Sequence, residues 1–499
     1  MSENKYLLGF DLGSSSVKAS VLDSETGKLV VSATSPKVEM EMQAVKPGWA
    51  EQDPEMWWEH IIKATRELLQ SGSVSKEDIS AIGISYQMHG LVAVDKNHNV
   101  LRPSIIWCDS RASDIGEKAY NSLGQELCLK KFLNSPGNFT ASKLKWVKEN
   151  EPDLYKKIYK IMLPGDYVAM KLTGQIYTTH SGLSEGIMWN FQNNEIAHEL
   201  LEHYGISEEL IPEALGSFGE HGELSASAAE KLGLKKGTKV TYRAGDQPNN
   251  AFSLNVLNPG EVAATAGTSG VIYGIIDKPD YDPKSRVNTF VHVNHAADES
   301  RYGVLLCING TGILNSWLRK NLGINESLSY EQMNSMAEEV PIGSDGLTIL
   351  PFGNGTERIL VNRDLGAQIS GLNFNRHSAS HLLRAAQEGI VFSLYYGFQI
   401  MENMGMEIQT VRAGHANMFL SPLFREAFVN TTGARLELYD TDGAQGAARG
   451  AGVGAGIYGN TSEAFNGLTK IEIIEPTSQK RKQYLEAYQV WLDQLKSKL

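Results

Sequence analysis

The chain has 499 residues, 41% of them hydrophobic and 21% charged, and at this size we expect two large domains or three smaller ones. Its formal net charge of −12 argues against nucleic-acid binding, and no apolar stretch approaches the length of about 18 residues that a membrane span needs. With three scattered cysteines and no signal-peptide pattern, the sequence predicts a soluble, cytoplasmic protein that has no nucleic-acid or membrane partner.

The N-terminal part alternates short apolar runs with tight turns. Residues 6–10 are predicted to form a buried strand, residues 11–16 a turn, and residues 17–22 and 29–33 two further strands. The segment GWAEQDPEMWWEHIIKATRELLQSG has the Asp-Pro start of a helix and one apolar face. ISAIGISYQMHGLVAVD and RPSIIWCDSRA return to strand, and this alternation predicts an α/β fold.

Near the middle of the chain the opening pattern recurs. GEVAATAGTSGVIYGIID, residues 260–277, is again a strand, a Gly-Thr-Ser-Gly turn and a strand. Because Gly and Ser fill most hairpin turns, the recurrence is either a duplication or a coincidence. A long helix in SASHLLRAAQEGIVFSLYYGFQIMENMG and a capped amphipathic helix in SPLFREAFVNTTG are predicted to follow. After them come a closely packed small-residue helix in GAQGAARGAGVGAGIYG and a C-terminal amphipathic helix.

The turn at residues 13–16 has the composition of a phosphate site. Gly and Ser let successive backbone N–H groups point to one place, and the hydroxyls add donors. The turn lacks the Gly-Lys-Ser/Thr of a P-loop and the GxGxxG of a dinucleotide site, and a strand follows it. Phosphates would repel Asp11 unless Mg²⁺ lies between them, so Asp11 predicts a metal-bound nucleotide. The alternative is that Asp11 caps the turn and the serines bond only local backbone.

Taken together, these segments resemble the FGGY family of carbohydrate kinases. GFDLGSSSVK is similar to the first phosphate loop of that family and TAGTSGV to the second, and the resemblance extends from residue 6 to about residue 458. GWAEQDPEMWWE, ISYQMHG, VLRPSIIWCDSRA, FTASKLKWV, LPGDYVAMKLTG and AGDQPNNAF are similar, in this order, to segments of the family members that act on xylulose.

The resemblance implies an α/β fold of two duplicated ribonuclease-H-like domains, as in the actin and hexokinase ATPases, with a central cleft. Residues 1–243 would form the N-terminal domain, with the sugar side and the first phosphate loop. Residues 244–499 would form the C-terminal domain, with the second phosphate loop and the adenosine loop, and the C-terminal helix is expected to pack back on the first domain.

The resemblance also implies ATP and Mg²⁺ as cofactors, a sugar as substrate and a set of site residues. The residues expected at the nucleotide are Asp11, Gly13, Ser14, Ser15, Ser16, Lys18, Gly267, Thr268, Ser269, Gly414, Ala416 and Asn417, with Mg²⁺ at Asp11. The residues expected at the sugar are Gln87, Met88, His89, Asp246 and Gln247. Asp109 and Arg111 either line the same pocket or form a simple salt bridge.

Three segments depart from the family pattern. AGHANM carries His415 and Met418 where the adenosine loop of the family has Gly and Ser. RAGDQPNN has Gln247 where Asn usually follows Gly-Asp, and GNGTERI stands in place of SGERTP.

Phosphoryl transfer to an alcohol needs the hydroxyl held in line and its proton accepted, and one carboxylate can do both. Asp246 resembles the general base of the family and is predicted to have this role. The alternative is an aspartate that starts a Pro-containing turn.

The predicted function is phosphorylation of D-xylulose at O5, within xylose metabolism, by a chain that could form a homodimer. A kinase for ribulose, fuculose, gluconate or another ketose or polyol is the alternative within the class. A mechanical ATPase would not need the sugar-side residues, and a silent sugar sensor would not need Asp11 and Asp246.

Overall fold

A computed structural model describes residues 6–323, 327–363 and 365–499 of the chain. The chain divides into two compact units, each built from several stretches of sequence. The first unit comprises Met1–Asn255, Thr289–Tyr302 and Thr441–Leu468, and the second comprises Val256–Asn288, Gly303–Asp440 and Thr469–Leu499. The division predicted between residues 243 and 244 falls inside a strand of the first unit.

The helices and strands alternate along the chain, as the sequence predicts. The strands are β1 (Tyr6–Leu12), β2 (Val17–Asp23), β3 (Leu29–Ser35), β4 (Glu51–Gln52), β5 (Ile79–Tyr86), β6 (Val92–Val94), β7 (Ser104–Ile105), β8 (Lys160–Met162), β9 (Thr178–Thr179), β10 (Trp189–Asn190), β11 (Glu195–Ile196), β12 (Ala214–Leu215), β13 (Lys239–Gly245), β14 (Val262–Ala266), β15 (Ser269–Ile276), β16 (Asn288–Val291), β17 (Tyr302–Asn309), β18 (Thr348–Phe352), β19 (Gly366–Ser370), β20 (Thr410–Gly414), β21 (Arg435–Asp440) and β22 (Thr469–Ile474). The helices are α1 (Pro54–Gln70), α2 (Ser113–Leu123), α3 (Gln125–Phe132), α4 (Thr140–Asn150), α5 (Pro152–Tyr155), α6 (Pro164–Thr173), α7 (His180–Glu185), α8 (His198–Tyr204), α9 (Ala226–Leu232), α10 (Asp246–Ser253), α11 (Gly312–Asn321), α12 (Tyr330–Glu338), α13 (Ala379–Asn403), α14 (Pro422–Thr432), α15 (Gly443–Gly454) and α16 (Ser478–Lys496).

The main sheet of the first unit has the strand order β13-β5-β1-β2-β3. β1, β2 and β3 form an antiparallel meander, and β5 and β13 add to it in parallel with β1. Helix α1 packs on β2 and β3 through its buried face, which includes Trp57, Ile61 and Leu68. Asp53 caps its N-terminus by accepting a hydrogen bond from the backbone N–H of Glu55 at 2.9 Å.

The main sheet of the second unit has the same arrangement, with β21, β20, β14, β15 and β17 in the places of β13, β5, β1, β2 and β3. β22 is added outside β21. β14 and β15 form an antiparallel hairpin, whereas β20 and β21 continue the sheet in parallel with β14. The hairpin and the two parallel strands therefore occur in both sheets, and this favours duplication over coincidence as the origin of the two similar turns.

Helix α15 packs closely on the sheet of the first unit, as its small residues predict. It lies against β1, β5 and β13. A Cβ atom on Gly9 or Gly83 would come within 2.0 Å of the carbonyl oxygen of Ala444 or Ala447, so glycine is needed at both positions. This contact anchors the segment Thr441–Leu468 in the first unit.

The C-terminal helix α16 belongs to the second unit, and the expectation that it also packs back on the first domain stays a prediction. Trp491 Nε1 donates a hydrogen bond to the carbonyl oxygen of Ile349 at 2.9 Å, and the Tyr488 hydroxyl donates to Gln399 Oε1 at 2.7 Å. These buried rings join the apolar core formed with α13 and α14. None of the helices in the described parts of the chain has the length and hydropathy to cross a bilayer.

Candidate active site

The first predicted phosphate loop is a tight turn between β1 and β2. The backbone N–H of Gly13 donates to the carbonyl oxygen of Ser16 at 3.0 Å and closes the turn. Asp11 and Lys18 are paired residues on the two strands, directly below the turn. Ser15 is exposed at the tip, whereas Ser14 and Ser16 are half-buried. The turn therefore presents small residues and their backbone groups at the end of the sheet.

The carboxylate of Asp11 lies between β5 and the start of α15. Ser85 Oγ donates to Asp11 Oδ1 at 2.7 Å. Asp442, the N-cap of α15, accepts from the backbone N–H of Gln445 and forms an ion pair with Lys18 at 2.5 Å. Loss of hydration raises the pKa of Asp11, and the charge of Asp442 raises it further. The ionised form of Asp11 is therefore disfavoured in the protein alone, and a cation close to the carboxylate would stabilise it.

This donor set fits Mg²⁺ held mainly through water and phosphate oxygens. Among the described residues, no group of three or more His, Cys, Asp or Glu side chains has the arrangement of a metal site. Asp11 and Asp442 are hard oxygen donors, and Mg²⁺ in nucleotide sites needs only one or two carboxylates from the protein. Asp442 was missed in the sequence, because its nearness to Asp11 depends on how α15 packs.

Three of the five residues predicted to contact the sugar follow β5 directly. Gln87 and Met88 are 2% and 4% exposed, and the backbone N–H of Gln87 donates to the carbonyl oxygen of Leu12 at 2.7 Å. This bond fixes the segment beside the first phosphate loop. His89 has a left-handed φ of 61°, which is uncommon for a residue other than glycine. Its Nδ1 is 2.9 Å from the carbonyl oxygen of Glu185, and its ring packs edge-on against Phe139 at 4.7 Å between centroids.

Lys143 of α4 holds this segment from behind and was missed in the sequence. Its Nζ donates to the carbonyl oxygens of His89 and Ile106, both at 2.9 Å, and the side chain is fully buried. Burial lowers the pKa of Lys143 to about 7. In the sequence, the one sign of this role is a lysine on the face of FTASKLKWV that the helix buries. Lys143 therefore fixes the backbone at the unusual conformation of His89.

Asp246 is the first residue of α10, directly after β13. Loss of hydration raises the pKa of Asp246 to about 7, and the nearby charge of Asp11 contributes to this rise. Hydrogen bonds from the side chain and backbone of Gln247 act in the opposite direction. The structure thus brings Asp11, Asp246 and Gln247 together in the first unit, where the protonation of Asp246 is poised near neutral pH.

Glu185, the last residue of α7, is a second buried carboxyl group beside Asp246. Its side chain is 1% exposed, and a Cβ atom on Gly245 would come within 2.7 Å of Glu185 Oε2 and 2.6 Å of Met88 Cγ. Burial raises the pKa of Glu185 well above its usual range, and the charge of Asp246 adds to this effect. An acidic residue among the small and apolar residues of SGLSEGIMW was the only sequence signal.

Asp109 and Arg111 form a buried ion pair. Arg111 Nε and Nη2 donate to the Asp109 carboxylate at 2.9 to 3.0 Å and 2.7 Å, and Nη1 is 2.6 Å from Glu51 Oε1. The guanidinium lies 3.8 Å from the ring centroid of Trp49. These protein partners account for both charges, which favours the salt-bridge interpretation over a role in the sugar pocket.

The second predicted phosphate loop joins β14 and β15 in the second unit. The carbonyl oxygen of Gly267 accepts from the backbone N–H of Gly312 at 2.8 Å, which ties the loop to the start of α11. Ser269 Oγ donates to Asn309 Oδ1 at 3.0 Å, whereas Thr268 is exposed at the tip. The loop is therefore anchored at both ends, and between them the carbonyl oxygen of Thr268 accepts from the backbone N–H of Ile313 at 3.4 Å.

The predicted adenosine loop lies beside the second phosphate loop. Gly414 ends β20, and its carbonyl oxygen accepts from the backbone N–H of Ala416 at 2.8 Å. Asn417 has a left-handed φ of 54°, and its Nδ2 is 3.6 Å from the position that a Cβ on Gly267 would occupy. Met418 is 5% exposed and packs in the core, and His415 is exposed. The two residues of this loop that depart from the family pattern, His415 and Met418, are thus compatible with the fold.

Comparison with known proteins identifies relatives over almost the whole chain. The family models for the N-terminal and C-terminal domains of the FGGY family of carbohydrate kinases match residues 6–253 and 262–457. A xylulose kinase of Bacillus subtilis is 33% identical over 409 residues, which cover 82% of this chain and 79% of that protein. An L-xylulose/3-keto-L-gulonate kinase of Escherichia coli is 30% identical over 512 residues, with 97% and 95% covered.

The fold has close counterparts among solved structures. A crystal structure named as a xyloylose kinase from Brucella ovis superposes with a TM-score of 0.89 at 26% sequence identity and covers 99% of both chains. This likeness and the two family matches confirm the predicted α/β fold of two duplicated domains.

Proposed function

The chain belongs to the FGGY family of carbohydrate kinases, and from this membership we propose that it transfers the γ-phosphoryl group of ATP to O5 of D-xylulose. It is a phosphotransferase that uses ATP and a sugar as substrates. The choice of D-xylulose is supported by relatives named xylulose kinase in several bacteria, at 27% to 33% identity.

The observation that carries the proposal is the position of Asp246. This carboxyl group lies at the start of α10, near enough to the carboxyl groups of Asp11 and Glu185 for their charges to interact, and the preceding residue Gly245 packs against Met88. Its pKa of about 7 suits a general base, because such a group is partly ionised at neutral pH and still basic enough to accept a proton.

In the proposed reaction Asp246 accepts the proton of the O5 hydroxyl while O5 attacks the γ-phosphorus. The O5–P bond forms, the bond between the γ-phosphorus and the β,γ-bridging oxygen breaks, and ADP leaves with that electron pair. Backbone N–H groups of Ser14 to Ser16, in the turn that the Gly13 N–H closes, and of Gly267 to Ser269, with the ammonium of Lys18, would hold phosphate oxygens. Asp11 would hold Mg²⁺, which when bound offsets the negative charge of the phosphates.

The sugar would be held by short or rigid side chains in the first unit. Gln87, Met88, His89 and Gln247 are proposed to contact it together with Asp246. The backbone under His89 is fixed by Lys143 and the ring by Phe139, so the site is organised before the sugar arrives. Gly414, Ala416 and Asn417 are proposed to contact the adenosine.

A panel of sugars in an assay that couples ADP release to a colour change tests the proposal. We expect D-xylulose to have the highest kcat/KM among D-xylulose, L-xylulose, ribulose, fuculose, gluconate and glycerol. A tenfold preference for another acceptor would reassign the substrate. Rapid ATP hydrolysis that no sugar accelerates would favour a mechanical ATPase, and binding of sugar without turnover would favour a sensor.

A further inference from the structure

Gln52, in β4, is a fully buried amide that connects two segments of the first unit with different proposed roles. Its Nε2 donates to the carbonyl oxygen of Ser14 at 2.7 Å and to that of Glu41 at 3.3 Å. Its Oε1 accepts from Trp57 Nε1 at 3.1 Å and from Gln87 Nε2 at 3.2 Å. One side chain thus bonds the phosphate loop at Ser14 and the sugar segment at Gln87.

The partners of Gln52 fix the direction of these hydrogen bonds. An indole N–H can only donate, so the oxygen of the Gln52 amide must face Trp57. The same oxygen faces Gln87, which must therefore present its own NH₂ group. The other end of the Gln52 amide faces two carbonyl oxygens, which accept only from a donor.

The remaining atom of the Gln87 amide is an unused acceptor. Gln87 Oε1 is buried and has no hydrogen-bond partner among the residues that the structure describes. A buried acceptor left without a donor is unfavourable, because the hydrogen bonds that it loses to water are not replaced. A sugar hydroxyl would supply the missing donor, since Gln87 lies in the segment assigned to the sugar.

A donor at Gln87 Oε1 would act on the whole series of hydrogen bonds. Hydrogen bonds in a chain polarise one another, so a bond to Gln87 Oε1 strengthens the donor at Gln87 Nε2 and, through Gln52, the bond to the Ser14 carbonyl. The Ser14 carbonyl shares its peptide group with the N–H of Ser15, at the exposed tip of the loop. Polarising this peptide makes that N–H a better donor to a phosphate oxygen.

We propose that Gln52 is a positioning residue that couples sugar binding at Gln87 to phosphate binding at the Gly13 to Ser16 loop. The series runs from a sugar hydroxyl through the amides of Gln87 and Gln52 to the peptide between Ser14 and Ser15. The inference rests on the proposed function, because it takes Gln87 as a sugar contact and the loop as a phosphate contact. Binding of either substrate would then tighten the binding of the other by the same factor.

The coupling is measured by calorimetry on the full-length protein. The dissociation constant of the nonhydrolysable ATP analogue AMP-PNP with Mg²⁺ is determined with and without saturating D-xylulose. We expect the sugar to tighten analogue binding at least about fivefold in the wild type, within the usual range for coupled sites. In Gln52→Glu, which keeps the acceptor but loses the donor to Ser14, and in Gln52→Met, we expect a factor below about two.

Trp57→Phe is the matched control, because it removes another hydrogen bond to Gln52 Oε1 but leaves the path from Gln87 to Ser14 intact. We expect this variant to keep the wild-type coupling factor. Its loss of thermal stability should be similar to that of the Gln52 variants. The proposal is overturned if the sugar leaves analogue binding unchanged in the wild type, if both Gln52 variants keep the coupling, or if Trp57→Phe loses it equally.

If neither Gln52 variant folds, the wild type decides by NMR. On addition of D-xylulose without nucleotide, the side-chain amide protons of Gln52 should move downfield, and unchanged shifts would overturn the proposal. Turnover of D-xylulose by the wild type is measured separately. If the sugar panel selects another acceptor, the proposed substrate fails, and the coupling is then measured with that acceptor.

Discussion

The carboxylate of Asp11 lies directly against Gly443, the first residue of α15. A Cβ atom on Gly443 would come within 2.3 Å of Asp11 Oδ2 and 2.6 Å of Asp11 Cγ. The contact places the negative charge of Asp11 at the positive end of a 12-residue helix. Only glycine allows this approach, so the position of Asp11 depends on a residue from the last quarter of the chain.

Gly443→Ala should therefore displace the Asp11 carboxylate. Because a shift of about 1 Å at a reacting centre can cost about 100-fold in rate, we expect kcat to fall between about 10-fold and 100-fold. Steady-state kinetics at saturating ATP and sugar measure this loss. In the double variant with Asp11→Asn, the Gly443→Ala change should add little further loss, and full additivity would show that it does not act through Asp11.

Asp11→Asn should weaken the response of the enzyme to Mg²⁺. The amide is neutral and a poor ligand for a hard cation, so more Mg²⁺ should be needed for half-maximal rate, and the maximal rate should fall. Calorimetry should show sugar binding within about twofold of wild type. Asp153→Asn, at a site whose side chain is 90% exposed, is the control and should leave the Mg²⁺ response unchanged. A wild-type Mg²⁺ curve in Asp11→Asn would return Asp11 to a turn-capping role.

The sequence predicts the parts of this site that are encoded locally. The hairpin at residues 11–18, the second hairpin at 262–276 and the helix after Asp53 follow from turn residues, strand periodicity and capping signals within a few positions. The composition of the two loops also indicates phosphate binding. Local patterns thus predict these elements and the candidate residues within each loop, whereas the duplicated two-domain fold is implied by the resemblance to the FGGY family.

The residues that the sequence analysis missed are those placed by long-range packing. Asp442 reaches Asp11 because α15 returns to the first sheet, and Lys143 of α4 reaches the carbonyl oxygen of His89 from a position 54 residues further along the chain. Glu185 is recognised as part of the site only in the fold, where it packs against Gly245 and its charge interacts with that of Asp246. Each of these contacts joins segments far apart in the chain, and no spacing in the sequence records it.

Glu185→Gln should stabilise the protein increasingly as pH rises. The pKa of Glu185 is raised by burial in the folded state, so the folded chain keeps a proton that the unfolded chain releases above its ordinary pKa. The free energy of unfolding of the wild type then falls with pH through this group, by about 1.4 kcal/mol per pH unit until the folded-state pKa is reached. Glutamine is neutral throughout and avoids this loss.

Thermal unfolding between pH 5 and pH 8 measures the effect. The difference in Tm between Glu185→Gln and wild type should be larger at pH 8 than at pH 5. Glu39→Gln, at an exposed position, should show no such trend. A difference in Tm that is constant with pH would mean that Glu185 is ionised in the folded protein at both values.

The rate of phosphorylation should fall in acid with a midpoint near the pKa of Asp246. A general base must be ionised, so activity should be present above about pH 7 and lost as pH decreases through that value. The profile of kcat/KM for the sugar measures the midpoint. In Asp11→Asn the like charge is removed, so the acidic limb should move to lower pH. A limb near pH 4 in the wild type would contradict the environment described for Asp246.

Asp246→Asn separates a base from a simple sugar ligand by the size of the loss. Asparagine keeps the shape and most hydrogen bonds of aspartate but cannot accept the proton of O5. General-base assistance contributes about 10²-fold to 10⁴-fold in rate, whereas one hydrogen bond to a bound sugar contributes about 1 kcal/mol, or roughly fivefold. We therefore expect kcat to fall at least about 100-fold, while calorimetry still detects binding of sugar and of Mg-ATP and circular dichroism shows an intact fold.

Asp166→Asn is the control for this variant. It removes another buried carboxylate of the same unit, one that pairs with Arg243 at 3.1 Å, and should mainly reduce stability. If Asp246→Asn keeps kcat within a few-fold of wild type and raises only KM, Asp246 binds the sugar and another group accepts the proton.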